Sequence, residues 1–140
     1  MTPEQIALLR GSFDKVRPIS EAAATLFYGR LFEIAPEVRP LFKGDISEQG
    51  RKLMATLAVV INGIDDLPRL LPAVQALGAR HAGYGVTNEH FAPVGAALIW
   101  TLEQGLGDAF TPDVRDAWLE AYGVLSAVMI EAASHAAVEA

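Results

Sequence analysis

The chain has 140 residues, 51% of them hydrophobic and 20% charged, and its formal net charge is -6. This length and composition indicate one globular domain with a single sizeable core, and they exclude a disordered chain. The negative charge disfavours nucleic acid and anionic membranes as main partners, because both require clustered lysine and arginine. The sequence has no cysteine, which excludes disulfides, thiolate metal sites and cysteine nucleophiles.

The N-terminal residues bear on where the protein resides. Residues 1–4 lack the basic and apolar segments of a secretory signal. No window of the sequence reaches the ~18 apolar residues that a membrane-spanning helix needs. We therefore expect a cytoplasmic protein that forms a single domain over residues 1–140 and has no membrane partner.

Helical periodicity predicts the elements of the first third of the chain. The Thr2-Pro3-Glu4 sequence combines a cap, a first-turn proline and an early acid, which predicts the start of a helix. A second helix is predicted over residues 20–35, with Tyr28 beside an apolar face that extends to Ile34. A short helical segment over residues 37–42 follows.

The middle of the chain predicts two further helices. The first of them ends at about residue 62, and either Asp45 or Ser47 can cap its N-terminus. The second follows a turn, and Pro72 lies close enough to its start to divide it into two pieces. Gly83 marks its C-terminal end.

Two longer helices complete the chain. One is predicted from about residue 88, and the last begins at Thr111-Pro112-Asp113, again a cap followed by a first-turn proline and an acid. No strand is required anywhere. Apolar helices joined by short loops, without heptads or internal repeats, predict a compact all-α domain.

His81 is the candidate metal ligand. It ends an apolar stripe on the fourth helix formed by Leu70, Val74 and Leu77, a spacing that directs the imidazole toward the core. A single imidazole without a second ligand at metal-binding spacing suits a metal that carries most of its own ligands, as heme iron does. The alternative is a buried histidine whose ring N–H is satisfied by a backbone carbonyl.

Several residues in fixed order carry a family resemblance. Tyr28 lies midway along the second helix, Phe42 follows fourteen residues later, and Gln49 and Leu53 occupy successive turns of the next helix. His81 lies within Leu77-Gly78-Ala79-Arg80-His81-Ala82-Gly83-Tyr84-Gly85-Val86, and Trp118 precedes Ala121-Tyr122-Gly123. Together this pattern resembles the globin family, and within it the bacterial single-domain globins and the globin domains of flavohemoglobins. The resemblance implies a globin fold of about six to eight helices that enclose a heme pocket.

The resemblance also implies the contacts of one heme b. His81 would be the iron ligand, and the Leu77 carbonyl would accept the other ring N–H. The remaining positions surround the heme: Phe42, Leu53, Leu77, Val86, Phe91, Val94 and Tyr122 against its apolar faces, and Lys52 and Arg80 beside its carboxylates. Ordinary core packing is the alternative for the apolar residues, and a solvated helix flank is the alternative for the two cations.

Tyr28 and Gln49 are the candidate polar residues of the pocket. A phenol and an amide that face an apolar cavity are costly unless a ligand there hydrogen-bonds to them, and bound O2 accepts such bonds better than CO does. By resemblance these two donors point to bacterial globins and flavohemoglobins. Taken alone, Tyr28 is better explained as a core tyrosine bonded to a backbone carbonyl, and Gln49 as an exposed first-turn residue.

Three functions therefore remain open. The first is reversible binding of O2, and of NO or CO, at a five-coordinate iron in a monomer or homodimer. The second is oxidation of NO to nitrate with an external reductase, since the chain has no Gly-x-Gly-x-x-Gly motif of a reductase domain and carries Ala133 where related enzymes have a proximal glutamate. The third is a heme-free interaction module with the same fold.

Overall fold

Six α-helices form the fold of the computed structural model. It describes residues 2–42, 45–83 and 90–139, except for the side chains of residues 81–83 and 133–139. The helices are α1 (Pro3–Val16), α2 (Ser20–Ile34), α3 (Ile46–Gly63), α4 (Leu67–Gly83), α5 (Phe91–Leu106) and α6 (Pro112–Glu139). Short 3-10 segments, Arg17–Ile19, Pro36–Leu41 and Gly107–Ala109, lie between them. No strand occurs among these residues, so the predicted all-α class is confirmed.

Side-chain caps fix the start of three helices. Thr2 Oγ1 accepts a hydrogen bond from the Gln5 amide at 3.1 Å, and the Gln5 side chain accepts one from the Thr2 amide at 3.0 Å. These reciprocal bonds satisfy two amides that have no partner within the helix. Asp45 caps α3, because its carboxylate accepts from the Ser47 amide at 2.9 Å, and Ser47 itself lies inside the helix. Thr111 caps α6 through the Val114 amide.

Helix α4 continues through Pro72 instead of dividing into two pieces. A proline in a helix removes one hydrogen bond to the carbonyl four residues earlier, here that of Pro68, which lies in the first turn. Leu70 and Val74 flank the proline and are both buried, at 7% and 5% exposed. Their burial in one cluster stabilises the turns on both sides of Pro72, so the loss of one bond leaves the helix intact.

Two hydrophobic clusters form the interior. The larger one joins α1, α2, α3, α5 and the first half of α6, and at its centre the Trp118 indole N–H donates to Ser12 Oγ at 2.8 Å. The Ser12 hydroxyl in turn donates to the Leu9 carbonyl at 3.0 Å. The smaller cluster fastens α4 to α3 and α6: Val60, Leu70, Val74 and Met129. Ile34, predicted to share the buried face of α2, is 39% exposed because it ends that helix.

Glycines allow two pairs of helices to approach closely. A Cβ placed on Gly50 of α3 would lie 2.8 Å from Ala24 Cβ of α2. A Cβ placed on Gly78 of α4 would lie 2.6 Å from the Met129 carbonyl oxygen of α6. Both distances are shorter than carbon and oxygen atoms tolerate, so the two glycines set how near these helices lie. Of the helices described, none has both the length and the apolar content needed to cross a membrane.

Candidate functional site

Tyr28 lies in the interior, surrounded by aromatic rings. It is 5% exposed, and its ring centroid is 5.0 Å from that of Phe27, 6.0 Å from that of Phe32 and 5.3 Å from that of Phe42. The Phe27 and Phe42 rings meet it edge-on, a favourable arrangement of their quadrupoles. These contacts fix the position of the Tyr28 ring, because any rotation about its side-chain torsions would meet a neighbouring ring.

The Tyr28 side chain extends from α2, and its hydroxyl contacts the first turns of α3. It donates a hydrogen bond to the backbone carbonyl oxygen of Gln49 at 3.2 Å. Burial raises the pKa of Tyr28 to about 12, because ionising a phenol away from water is unfavourable. The hydroxyl therefore stays protonated, and stays a donor, at any physiological pH.

Gln49, Phe42 and Leu53 line the same region and are half-buried. The structure brings Gln49 and Tyr28 together, although through the main chain of Gln49. A peptide carbonyl has two lone pairs, so this oxygen can accept the phenol in addition to an amide of its own helix. The hydroxyl of Tyr28 thus bonds to a backbone carbonyl, the alternative that the sequence left open.

The predicted apolar wall is divided between the two hydrophobic clusters. Phe42, Leu53 and Val94 pack on the larger cluster, whereas Leu77 and Phe91 pack on the smaller one. All five are half-buried. Each of these large apolar side chains therefore keeps part of its surface outside its cluster, where a further apolar group can cover it.

Tyr122 of α6 fastens the start of α5. Its hydroxyl donates to the Phe91 carbonyl, and its ring lies against Gly95, where a Cβ would be 2.6 Å from Tyr122 Cε1. Burial raises the pKa of Tyr122, and a hydrogen bond with the Gly95 backbone partly offsets this. Phe91 and Tyr122, two of the predicted heme contacts, are therefore in direct contact, and the Tyr122 hydroxyl is occupied by the main chain.

The remaining predicted residues are less informative in the structure. The backbone of His81 lies in the last turn of α4, but its side chain is outside the described residues, as is all of Val86. Lys52 and Arg80 are exposed. No cluster of three or more His, Cys, Asp or Glu side chains that would hold a bare metal ion occurs in the described part of the chain.

A small cavity lies within the larger hydrophobic cluster. Its volume is about 20 Å³, enough for one water or one diatomic molecule. The residues around it come from five helices: Phe13, Val16, Ala23, Phe27, Leu53, Met54, Leu57, Leu98, Thr101, Leu102 and Trp118. The Thr101 hydroxyl donates to the Ala97 carbonyl and the Trp118 indole donates to Ser12, so neither offers a free donor to a water molecule. The cavity is therefore apolar and favours a nonpolar occupant.

Comparison with known proteins identifies the family. The globin family model matches residues 25–129. This chain belongs to the globin family. The predicted globin fold is thereby confirmed, with six α-helices among the described residues.

Relatives of this globin include proteins of similar length and much longer proteins. It is 35% identical to the flavohemoprotein of Bordetella parapertussis, over 93% of this chain and 33% of that protein. It is 31% identical to neuroglobin of Chaenocephalus aceratus, over 87% of this chain and 86% of that protein. A solved structure from Rhodothermus marinus, an engineered carbene transferase and candidate nitric oxide dioxygenase, shares 29% identity at a TM-score of 0.85, over 96% and 94% of the two chains. The globin thus spans about a third of the length of the flavohemoprotein.

The helix crossing beside Tyr28 was not predicted from the sequence. Ala24 and Gly50 bring α2 and α3 together one turn from the Tyr28 hydroxyl, and neither residue has a side chain capable of chemistry. One signal was available, since a glycine inside a helical pattern costs about 1 kcal/mol relative to alanine and therefore calls for a packing reason. Which residue lies opposite Gly50 is determined by tertiary packing, and no local sequence pattern indicates it.

Proposed function

We propose that this globin binds one heme b and, at the heme iron, reversibly binds O2 and other diatomic gases such as NO and CO. Tyr28 carries this proposal, because a buried phenol that stays protonated lies against the half-buried Phe42 and reaches the first turns of α3. The family membership and the flavohemoprotein relative support heme as the group that lies there. We assign residues 1–140 to one globin domain and expect it in the cytoplasm.

The residues of the chain fit such a group. Phe42, Leu53 and Val94 would cover one part of a flat apolar plate, and Leu77 and Phe91 another, so that their half-exposed area becomes buried. His81 would hold the iron from the last turn of α4, and the exposed cations of Lys52 and Arg80 would lie near the heme carboxylates. When bound, heme supplies the iron that gases coordinate; the polypeptide supplies the pocket and the hydrogen bonds.

Tyr28 would decide which gas is held most tightly. A hydrogen bond to an acceptor with charge contributes roughly 1.5–3 kcal/mol, and a neutral one roughly 0.5–1.5 kcal/mol. Donation to bound O2 therefore exceeds donation to the Gln49 carbonyl by roughly 1–2 kcal/mol. CO is the poorer acceptor and gains little. Gln49 would be the secondary donor.

Heme uptake and gas affinity test this function directly. The purified globin, supplemented with heme, is expected to show a Soret band that His81→Ala weakens and the control His90→Ala retains. Tyr28→Phe is expected to weaken O2 affinity about five- to thirtyfold, the net of the two hydrogen bonds, with CO affinity little changed. A parent protein without a Soret band would leave the heme-free interaction module as the function.

A second candidate is oxidation of NO to nitrate by bound O2, with an external reductase supplying electrons. It is favoured by the 29% identity to the candidate nitric oxide dioxygenase from Rhodothermus marinus. The hydrogen bonds that hold O2 would also orient it toward NO. We expect one equivalent of nitrate when the O2-loaded globin meets NO, and continued production only with added reductase. Sustained nitrate production with a nicotinamide cofactor alone would contradict this expectation.

A further inference from the structure

Helices α2 and α3 cross where a single methyl group separates them. Ala24 supplies that methyl, and Gly50 meets it with a bare Cα, so that a Cβ on Gly50 would be only 2.8 Å from Ala24 Cβ. The same Cβ would be 4.0 Å from Tyr28 Cε2, an ordinary contact. The crossing therefore tolerates one methyl group but not two, and it lies next to the phenol ring.

A second methyl would lengthen the Tyr28 hydrogen bond. Carbon atoms pack at roughly 3.5–4.0 Å, so an alanine at position 50 requires the helices to separate by roughly 1 Å. Gln49 adjoins Gly50, and its carbonyl accepts from Tyr28 at 3.2 Å. A separation of that size carries the oxygen beyond hydrogen-bonding distance of the hydroxyl.

The phenol ring would not follow the carbonyl. Its contacts with Phe27, Phe32 and Phe42 hold it from the α2 side, and Phe27 and Phe32 belong to the same helix as Tyr28. Only the O–H bond is free to rotate about the C–O axis. The Gln49 carbonyl and a ligand in the pocket therefore compete for one proton donor.

We propose that Gly50 is a positioning residue that sets the O2 affinity of this globin by keeping the Gln49 carbonyl within reach of the Tyr28 hydroxyl. The carbonyl holds the donor when the pocket has no ligand, and each O2 that binds must displace it. The close crossing thus lowers O2 affinity while leaving CO affinity nearly unchanged. This inference rests on the proposed function, because it assigns a determinant of gas selectivity to the same pocket.

The first test measures the contact without any gas. In the full-length chain, Tyr28→Phe is expected to raise the unfolding equilibrium constant about two- to tenfold, the worth of one hydrogen bond between neutral groups. In a Gly50→Ala background the bond is already broken, so Tyr28→Phe should change that constant less than about 1.5-fold. Urea unfolding followed by tryptophan fluorescence gives both values.

The second test uses the heme-loaded protein. Gly50→Ala is expected to raise O2 affinity about two- to tenfold, because the hydroxyl no longer has a competing acceptor, and to leave CO affinity within twofold. Gly29→Ala is the matched control: it is also a glycine of a helix, adjacent to Tyr28, and its added Cβ meets nothing within 4 Å. It should leave both affinities unchanged.

A compensating pair of substitutions distinguishes an effect of helix spacing from a general packing defect. Combining Ala24→Gly with Gly50→Ala moves the methyl from one helix to the other and restores a crossing of one methyl against a bare Cα. The two changes also balance in helix propensity. We expect this double variant to recover the parent O2 affinity and the parent effect of Tyr28→Phe on unfolding.

The outcomes separate this inference from the function beneath it. Absence of heme uptake overturns the proposed function, and the inference with it. Heme uptake with unchanged O2 affinity in Gly50→Ala, or a Tyr28→Phe effect on unfolding that is equal in both backgrounds, overturns the inference alone. A double variant that behaves like Gly50→Ala also contradicts it, because spacing would then not be the cause.

Discussion

The buried hydrogen bond between Trp118 and Ser12 gives the sharpest test of what holds this globin together. Trp118 is 2% exposed and Ser12 is 6% exposed, and among the residues that the structure describes the indole N–H donates to the serine oxygen alone, 2.8 Å away. Ser12→Ala removes that oxygen and leaves the indole without a partner. The serine hydroxyl also donates to the Leu9 carbonyl, but a carbonyl in a helix retains an amide partner of its own.

The destabilisation expected for Ser12→Ala follows from this difference between the indole, which loses its partner, and the Leu9 carbonyl, which keeps one. An unsatisfied buried donor costs roughly 1–3 kcal/mol, more than the roughly 0.5–1.5 kcal/mol that an exchanged hydrogen bond is worth. With an unfolding entropy of about 2.1 cal/mol/K per residue, this corresponds to a melting temperature lower by roughly 3–10 °C. Ser126→Ala is the control, because its hydroxyl also donates to a carbonyl three residues earlier but lies at the surface.

Urea and thermal unfolding of the parent and the two variants, at equal heme content, measure both costs. Ser126→Ala is expected to lie within about 0.5 kcal/mol of the parent. If Ser12→Ala proves no more costly than that control, the indole does not depend on Ser12. The reasoning from buried polar groups would then be refuted for this core.

Two further predictions concern the pH dependence of stability and the backbone conformation. The pKa of Tyr28 is about 12 in the fold and near 10 when unfolded, so its contribution to stability is complete below pH 10 and is lost as the pH rises toward 12. Between pH 9 and pH 11.5 the free energy of unfolding should therefore fall less for Tyr28→Phe than for the parent, by up to roughly 2 kcal/mol. An equal fall in the two proteins would contradict the burial argument. Gly107 has a φ of 55°, so Gly107→Ala should destabilise the fold by about 1–2 kcal/mol. The control Gly123→Ala, in an open part of α6, should stabilise it by up to about 1 kcal/mol. If urea unfolding gives similar free energies for the two variants, backbone strain at Gly107 is not the cause.

Local chemistry made much of the fold predictable. The Thr2 cap, the first-turn prolines and the apolar stripes depend on neighbours within one helix, and apart from the exposed Ile34 the described part of the structure has them as predicted. The effect of Pro72 on α4 was ambiguous because it depends on contacts with other helices. Whether a proline divides a helix depends on what the flanking turns bury, and that burial of Leu70 and Val74 involves residues from α3 and α6.

For Tyr28, burial was predictable from the sequence but the identity of its acceptor was not. Tyr28 in a mostly apolar stretch predicts a buried phenol, and it is buried. Its acceptor is a main-chain atom of α3, which every residue possesses and no sequence pattern marks. Only the crossing of Ala24 and Gly50 brings that atom near, and helix crossings are determined by packing across the whole domain.

The bond between Ser12 and Trp118 also has a consequence for biosynthesis. The two residues are 106 positions apart, so α1 leaves the ribosome long before its partner on α6 exists. At about 5–20 residues per second, α1 spends roughly 5–20 s without the indole that completes its buried face. A helix of 14 residues is marginal alone in water, so the Thr2–Gln5 capping box and Pro3 act during that interval, when no tertiary contact with α6 can maintain the helix.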